Sequence, residues 1–513
     1  MSFLPQKSGS KRAILVLALI CVLVLPALCF YPFHTDHAIQ QAMGMELYRY
    51  HGLPYIGSWD HNFPGTVVLH ATAIAVFGNS MIGFRAFELI LQIAIVLSLY
   101  KLSRLWLSEG ASLVACALYA LFYIHGPGQF MGQRDDFAVL PLAWAFWATV
   151  KAYRNTSLTS EKLFFALAGA MFALATSIRP TLALLLIIPF VTLHGLRNAR
   201  GWELLLFEVM GFIAIVLLWL IPYALTPDGL RQAYLSTIRF NLDVYTDTSF
   251  HLHDVSNRAY LVIAFLLWWG AVMVLHRRNG RHFSNAPHSK KERNFMIASF
   301  AALLFGVIVM YRIASYHLMP FCGFFMPVLA AGIWDAKLRL GRRGALALSL
   351  LMIALFAGLY PWKMVLGPQG RAIFSSSKPL AERLRGNPVD DSMVTYINSN
   401  TKADDAVEVS AFFPDIRWQI ERPSATRFTT LTGILLHGKD GRIPDFQRQW
   451  QVEYAAKIEQ VQPKFYIIQN AIDSGQNIFT LRDLMALPTL GAFIQQHYVL
   501  DTTMGDYFIY RRK

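Results

Sequence analysis

Three groups of residues have the types and spacing that chemistry needs. Asp36, in His34-Thr35-Asp36-His37, lies a few residues beyond the first long apolar run. A carboxylate at the lip of a membrane helix is costly unless it faces water or a polar cavity. It can act as a general base toward a hydroxyl within about 3 Å, or it can cap a helix over Ala38–Tyr50. A capping position holds its side chain rigidly, so the two roles are compatible. The second group is Gln133-Arg134-Asp135-Asp136. Its two carboxylates can pair with Arg134, bind a metal, position a reacting group, or simply sit at the positive end of a helix dipole. The third group is cationic: Arg179 in Ser177-Ile178-Arg179-Pro180, and Arg312 with His317 in the run Tyr311–His317. Guanidinium binds phosphate in a bidentate fork, although such side chains also snorkel toward lipid headgroups.

Other polar stretches are less specific. Asp60-His61-Asn62-Phe63-Pro64-Gly65-Thr66 could be an interfacial belt and no more. His251-Leu252-His253-Asp254, with Asp243 and Asp247 nearby, has ligand character, but without a further partner it reads as a solvated loop rather than a zinc site. The chain has no P-loop, no Gly-rich dinucleotide motif and no Gly-x-Ser-x-Gly elbow, so a soluble nucleotide substrate has no visible site.

The elements that must hold these groups are membrane helices. The 513 residues are 55% hydrophobic, 14% aromatic and only 15% charged, against about 25% charged in soluble proteins. Lys and Arg number 46 and Asp and Glu 32, a net charge of +14. The four cysteines, Cys21, Cys29, Cys116 and Cys322, all fall in apolar runs, so no disulfide framework is expected. A soluble cytosolic enzyme, a disordered chain and a zinc ribbon are excluded.

Candidate spans fall near Ala13–Phe30, an uncleaved anchor rather than a signal peptide, and near Ile82–Tyr100, Ala111–His125, Phe137–Val150, Leu163–Ile178, Thr181–His194 (short, with Arg179-Pro180 marking either a tight turn or a break within one bent hairpin), Leu204–Leu225, Tyr260–Leu275, Phe295–Arg312, Tyr316–Trp334 and Ala345–Tyr360. That predicts a mainly α polytopic membrane protein of about 11 spans. With the N-terminus cytoplasmic, every inner connection carries Lys and Arg, from Lys101 and Arg104 to Arg342 and Arg343, as the positive-inside rule requires. Three longer segments then lie outside: residues 31–81, with an interfacial helix over Ala38–Tyr50, residues 226–258, and the tail. The reading divides the chain into a transmembrane domain, 1–362, and a C-terminal α/β domain, 363–513. Strands are predicted in the tail at Ala406–Phe412, Phe465–Gln469 and Tyr507–Tyr510, and helices at Met393–Asn400, Trp450–Gln460 and Leu481–Met485.

The order of these features resembles the GT-C superfamily of polytopic glycosyltransferases, and within it the bacterial protein-mannosyltransferase and aminoarabinose-transferase-like group. The shared pattern is one early span, Asp36 just beyond it, then a helix. Pro64-Gly65-Thr66 leads into an apolar stretch ending Phe77-Gly78, and Arg85 follows. Phe240-Asn241 with Tyr245 is similar to the middle outer loop. Tyr316-His317-Leu318-Met319-Pro320, running into Pro327 and Ala330-Ala331-Gly332, is similar to the late span. Arg422-Pro423 and Tyr510-Arg511-Arg512 resemble features of the periplasmic domain. Two positions depart from the pattern: His37 stands where a Glu often follows the first-loop acid, and Asn62-Phe63-Pro64-Gly65 replaces the Lys-Pro-Pro of the aminoarabinose branch.

The resemblance implies an inverting enzyme of the bacterial inner membrane, multi-pass, with its C-terminal domain periplasmic, active in cell-envelope or lipopolysaccharide synthesis. Its donor would be a polyprenyl-phosphate-linked sugar. The acceptor would be a glycolipid, polysaccharide or protein, among membrane lipids and without nucleic acid. Asp36 would be the base, with Asp135 or Asp136 orienting the acceptor or holding a divalent cation should one be needed. Arg179, Arg312 and His317 would stabilise the leaving phosphate, and His37, Asp60, His61, Asn241 and Tyr245 would line the substrate loops. The competing class, a lipid or solute transporter, would place its charges nearer the membrane midplane. A membrane-anchored binding protein would need no acid at Asp36.

Overall fold

The computed structural model describes residues 9–25, 28, 33, 35–125, 131–155, 157–194, 199–245, 270, 290–309, 315–331, 333–334, 341, 391–438, 441–470, 472–473 and 478–513. In lipid the backbone must satisfy its own hydrogen bonds, and the apolar runs accordingly fold as helices. These are α1 (Gly9–Val24), α2 (Thr35–Tyr50), α3 (Gly65–Phe77), α4 (Met81–Ser103), α5 (Glu109–His125), α6 (Arg134–Arg154), α7 (Leu158–Ile178) and α8 (Ala199–Ala224). A further helix covers Lys290–Val309. Among the described residues, Met81–Ser103, Leu158–Ile178 and Arg200–Ala224 are long and apolar enough to cross a membrane, and Glu109–Ile124, Asn294–Gly306 and Met319–Ala331 are shorter apolar helices. The expected spans at 260–275 (apart from Gly270) and 345–360 lie outside the described residues.

The chain forms two compact units, neither continuous in sequence. The first gathers Met1–Tyr31, Arg85–Leu218 and His251–Ser376. In it, Gly169 of α7 and Gly211 of α8 let two backbones meet. A Cβ at either would overlap a carbonyl of the facing helix, that of Glu208 or of Ala166, the small-residue packing that apolar surroundings favour. Leu206, Met210, Ile213 and Leu217 of α8 remain about half exposed; at helical spacing they form one lipid-facing stripe. Arg154 binds the buried Glu292 through Nε (2.9 Å) and Nη2 (2.7 Å), and Trp106 Nε1 donates to the same carboxylate at 3.0 Å. Cys21, Cys116 and Cys322 are buried free thiols.

Thr181–His194 is not one α-helical span. Proline disfavours helical geometry at the residue before it, so α7 stops at Ile178. Arg179 is extended (φ −139°, ψ 108°), and Pro180 opens an eight-residue 3₁₀ stretch to Ile187, followed by a wide turn over Phe190–His194.

The second unit gathers Pro32–Phe84, Trp219–Phe250 and Ser377–Lys513. Its frame is a four-stranded sheet ordered β1-β2-β6-β5, built from β1 (Val407–Ser410), β2 (Phe465–Gln469), β5 (Tyr498–Met504) and β6 (Tyr507–Arg512); β3 (Ile472–Asp473) and β4 (Ile478–Phe479) form a separate two-stranded pair. β1 runs parallel to β2, and the other pairs are antiparallel. Alternation along β2 sends Tyr466 and Ile468 into one core, and Phe465 and Ile467 into another with Val407 and Val409, as period-2 side chains require. The predicted strands and helices of the tail are present, whereas β5 and the helix Leu490–His497 were not expected. β5 is an edge strand with Val499 and Leu500 about half exposed, so it lacks the apolar alternation that would reveal it.

The larger core takes residues from all three segments: Trp59, then Phe240 and Val244, then Phe428, Trp450 and Tyr454. Gly433 leaves room for the Trp59 indole; a Cβ there would come within 2.8 Å of its ring. Trp59 also bridges to Phe428, and its N–H donates to Thr429 Oγ1 at 3.3 Å. α2 is not a surface helix with one wet face: it is buried at His37, Ala38 and from Gln40 to Met45. α3 is a helix in what the sequence reads as loop.

Candidate active site

In the first unit the chemistry gathers at the start of α6. Gln133 N donates to Asp136 Oδ2 at 3.1 Å, so Asp136 serves the helix start as the acid of a capping box. Asp135 is completely buried. Its carboxylate is ion-paired with Arg179, lies 3.2 Å from His317 Nδ1, and has Arg134 Nε at 3.7 Å. Arg179 further donates from Nη1 to the His317 carbonyl at 3.0 Å and from Nε to Thr181 Oγ1 at 3.1 Å. Buried charges persist only when paired and hydrogen-bonded, and each of these groups meets that condition through the others. The Pro180 break makes this possible, because it releases residue 179 from the helix.

Beside this cluster Arg85 and Glu88 form a fully buried ion pair one helical turn apart. Tyr123 OH donates to Glu88 Oε1 at 2.6 Å and accepts from the N–H of Gly132 at 2.8 Å. Gly132 has φ 71°, a backbone that glycine adopts without strain. This pair has no role in the sequence reading; the signal that could have found it is the i, i+3 spacing of two opposite charges inside an apolar run.

The second unit holds the first-loop and middle-loop candidates. Asp36 is in the first turn of α2 and is partly buried. Among the described residues no hydrogen bond or ion pair engages its carboxylate. His37 is buried, its ring stacked on Phe33 at 5.5 Å and near Phe84. Asp60 is almost completely buried and accepts from Gln40 Nε2 (2.8 Å), Asn62 Nδ2 (2.7 Å) and the His61 N–H (2.8 Å), with His61 Nδ1 3.0 Å away. Burial alone would push this carboxyl up, but His61 beside it and those hydrogen bonds bring it down to about 2. Asn241 Nδ2 donates to the His61 carbonyl at 2.8 Å, and the Tyr245 and His61 rings lie 4.0 Å apart. Asp60, His61, Asn241 and Tyr245 therefore meet.

Of the cationic set, Arg179 and His317 come together around Asp135; Arg312 and the 251–254 motif lie outside the described residues. Among the described residues no group of three or more His, Cys, Asp and Glu could hold a metal ion. Asp135, already ion-paired with the Arg179 guanidinium, is a poor ligand for a divalent cation.

Comparison with known proteins agrees with this architecture. Residues 61–224 match the family described as dolichyl-phosphate-mannose-protein mannosyltransferase. No curated protein sequence matches the chain. Among solved structures, ArnT from Cupriavidus metallidurans bound to undecaprenyl phosphate superposes with a TM-score of 0.55 at 11% identity, covering 98% of each chain. The archaeal oligosaccharyltransferase AglB from Archaeoglobus fulgidus, in complex with an inhibitory peptide and a dolichol-phosphate, superposes with a TM-score of 0.51 at 13% identity, covering 98% of this chain and 74% of its own. The family match covers one segment of the chain, and the likeness to the two solved structures is one of fold.

Proposed function

We propose that this protein transfers a sugar from a polyprenyl-phosphate carrier to an acceptor at the outer face of a bacterial cytoplasmic membrane, with inversion, in the synthesis of a cell-envelope glycan or glycolipid. About eleven spans, with the first outer segment and the C-terminal domain both periplasmic, complete the reading. The polyprenyl phosphates held by the ArnT and AglB structures support the donor class.

The observation that carries the mechanism is Asp36, a partly buried carboxylate at a helix start that no partner among the described residues neutralises. The donor leaves as a phosphate monoester, which needs charge stabilisation more than a proton. The acceptor hydroxyl needs a base, and Asp36 takes its proton as the oxygen attacks the anomeric carbon opposite the departing phosphate. The stabilisation of the leaving phosphate falls, in this proposal, to Arg179, Arg312 and His317. Asp135 fixes the Arg179 fork, and Asp136 sets the start of α6. The Asp60–His61–Asn241–Tyr245 constellation shapes the acceptor side. The test supplies the purified protein with a radiolabelled polyprenyl-phosphate sugar and a membrane extract as acceptor source. Label should move to a new species with the anomeric configuration inverted. Label that stays on the lipid with every carrier sugar tried, or a retained configuration, contradicts the proposal.

A further inference from the structure

α2, the helix with Asp36 in its first turn, is linked to the C-terminal domain in part through a side chain that belongs to neither, that of Asn79. Asn79 lies between α3 and α4. Its Oδ1 accepts from Gln41 Nε2 of α2 at 2.8 Å, while its Nδ2 donates to the Trp418 carbonyl at 2.7 Å and to Glu421 Oε1 at 2.9 Å. The amide is thus used in both senses, acceptor toward α2 and donor toward the tail, and no aliphatic or purely acidic side chain can do both. Gln41 is completely buried; its remaining oxygen lies 2.8 Å from His70 Nδ1. With both amides oriented in this way, His70 must donate from Nδ1, so the polarity of the whole chain is set.

The tail side is equally determined. Trp418 is buried and packs with Ala38, Ala42 and Met81 in a small apolar cluster, two residues along the helix from Asp36. Phe33, on the other side of Asp36 in sequence, lies against the same indole, with ring centroids 5.2 Å apart. Glu421 adopts φ 53°, a left-handed backbone that a non-glycine residue holds only when its surroundings over-determine it. Those surroundings come from the first outer segment: Asn79 on Oε1, Arg49 Nη1 on Oε2 at 2.8 Å, and Tyr50 OH on the Glu421 carbonyl at 3.2 Å. An exposed Arg–Glu pair adds little on its own. The arrangement of Trp418–Glu421 matters because it grips α2 on two sides of Asp36, by an indole below its first turns and an amide network beyond them.

We infer that Asn79 is a positioning residue for Asp36, and that through it the C-terminal domain sets the pose of the catalytic helix. The inference rests on the reading of Asp36 as base. In Asn79→Asp the link to Gln41 survives, but a carboxylate then faces the Glu421 carboxylate and the Trp418 carbonyl. Displacing a reacting group by about 1 Å can cost up to about 100-fold in rate, so kcat should fall about 10- to 100-fold while KM for the lipid donor stays within about twofold. Adding Glu421→Gln to Asn79→Asp restores a donor–acceptor pair with its polarity reversed, and most of the lost kcat should return. A purely structural role would instead lower the amount of folded protein and leave kcat per folded molecule unchanged.

Wild-type kcat in Asn79→Asp, or a loss that Glu421→Gln does not repair, overturns the inference. Should Asn79→Asp not fold, Glu421→Gln alone decides. It leaves one side-chain oxygen to serve both Asn79 and Arg49, so kcat should drop severalfold at constant KM, and an unchanged kcat overturns the inference. The parent reading fails separately: if Asp36→Asn is fully active, the base assignment is wrong, whereas an inactive Asp36→Asn beside a fully active Asn79→Asp removes only the positioning role.

Discussion

Asp135 and Asp36 are both carboxylates at helix starts following apolar sequence, yet their surroundings are opposite. Asp135 is sealed from water and engaged by Arg179 and His317. Asp36 is partly accessible and, among the described residues, unengaged. A carboxylate whose charge is already balanced by a buried guanidinium can orient that guanidinium but is a poor proton acceptor or metal ligand. A carboxylate held at the first turn of a packed helix, with no counter-ion among the described residues, is available for a proton. The difference separates a charge scaffold in one unit from a candidate base in the other.

The largest effect expected from breaking this contrast is on the scaffold. Asp135→Asn should destabilise the fold by about 3–5 kcal/mol, because it leaves Arg179 buried without its counter-charge. Pairing it with Arg179→Met should recover much of that loss, read as thermal unfolding in detergent. If the single and double variants unfold alike, Asp135 and Arg179 are not coupled as the geometry says. Trp59→Ala tests the second unit. Removing a buried indole from the shared core should cost about 3–4 kcal/mol and make 53–63 and 425–432 sensitive to protease together; cleavage confined to one of them would show that the segments are not jointly packed.

A smaller effect sharpens the comparison through pH. The Asp60 carboxyl is lowered from 3.8 to about 2 in the fold. A lowered carboxylate contributes stability above its unfolded value, and this is lost as pH falls through its folded one. Asp60→Asn should therefore cost about 2 kcal/mol above pH 4, with the difference from wild type closing as the pH approaches about 2. A difference constant across that window would show that the pairing with His61 and Asn62 does not hold Asp60 ionised.

Much of this was legible in sequence. Apolar runs placed α4 to α8 within a few residues of their observed ends, since helix formation in an apolar medium follows from composition. The three chemical groups were visible because ionisable residues are rare in such runs. Pairing was not: nothing in the spacing of Asp135, Arg179 and His317 shows that they share one point, because it depends on how α6, the Pro180 break and the segment at 315–318 pack. Nor did periodicity expose α3, 13 residues long and apolar on all sides, too short to be recognised as a span and without the one-sided pattern of a surface helix. The discontinuous make-up of the second unit was equally hidden, since Trp59 reads as an interfacial aromatic until Phe240 and Trp450 are seen around it.

The most direct test of the account is turnover by Asp36→Asn with a polyprenyl-phosphate-linked sugar, measured on protein shown to unfold at the wild-type temperature. Asparagine keeps the size of the side chain and cannot accept the proton, so kcat should fall at least about 100-fold with donor binding retained. Turnover at the wild-type rate would contradict the account.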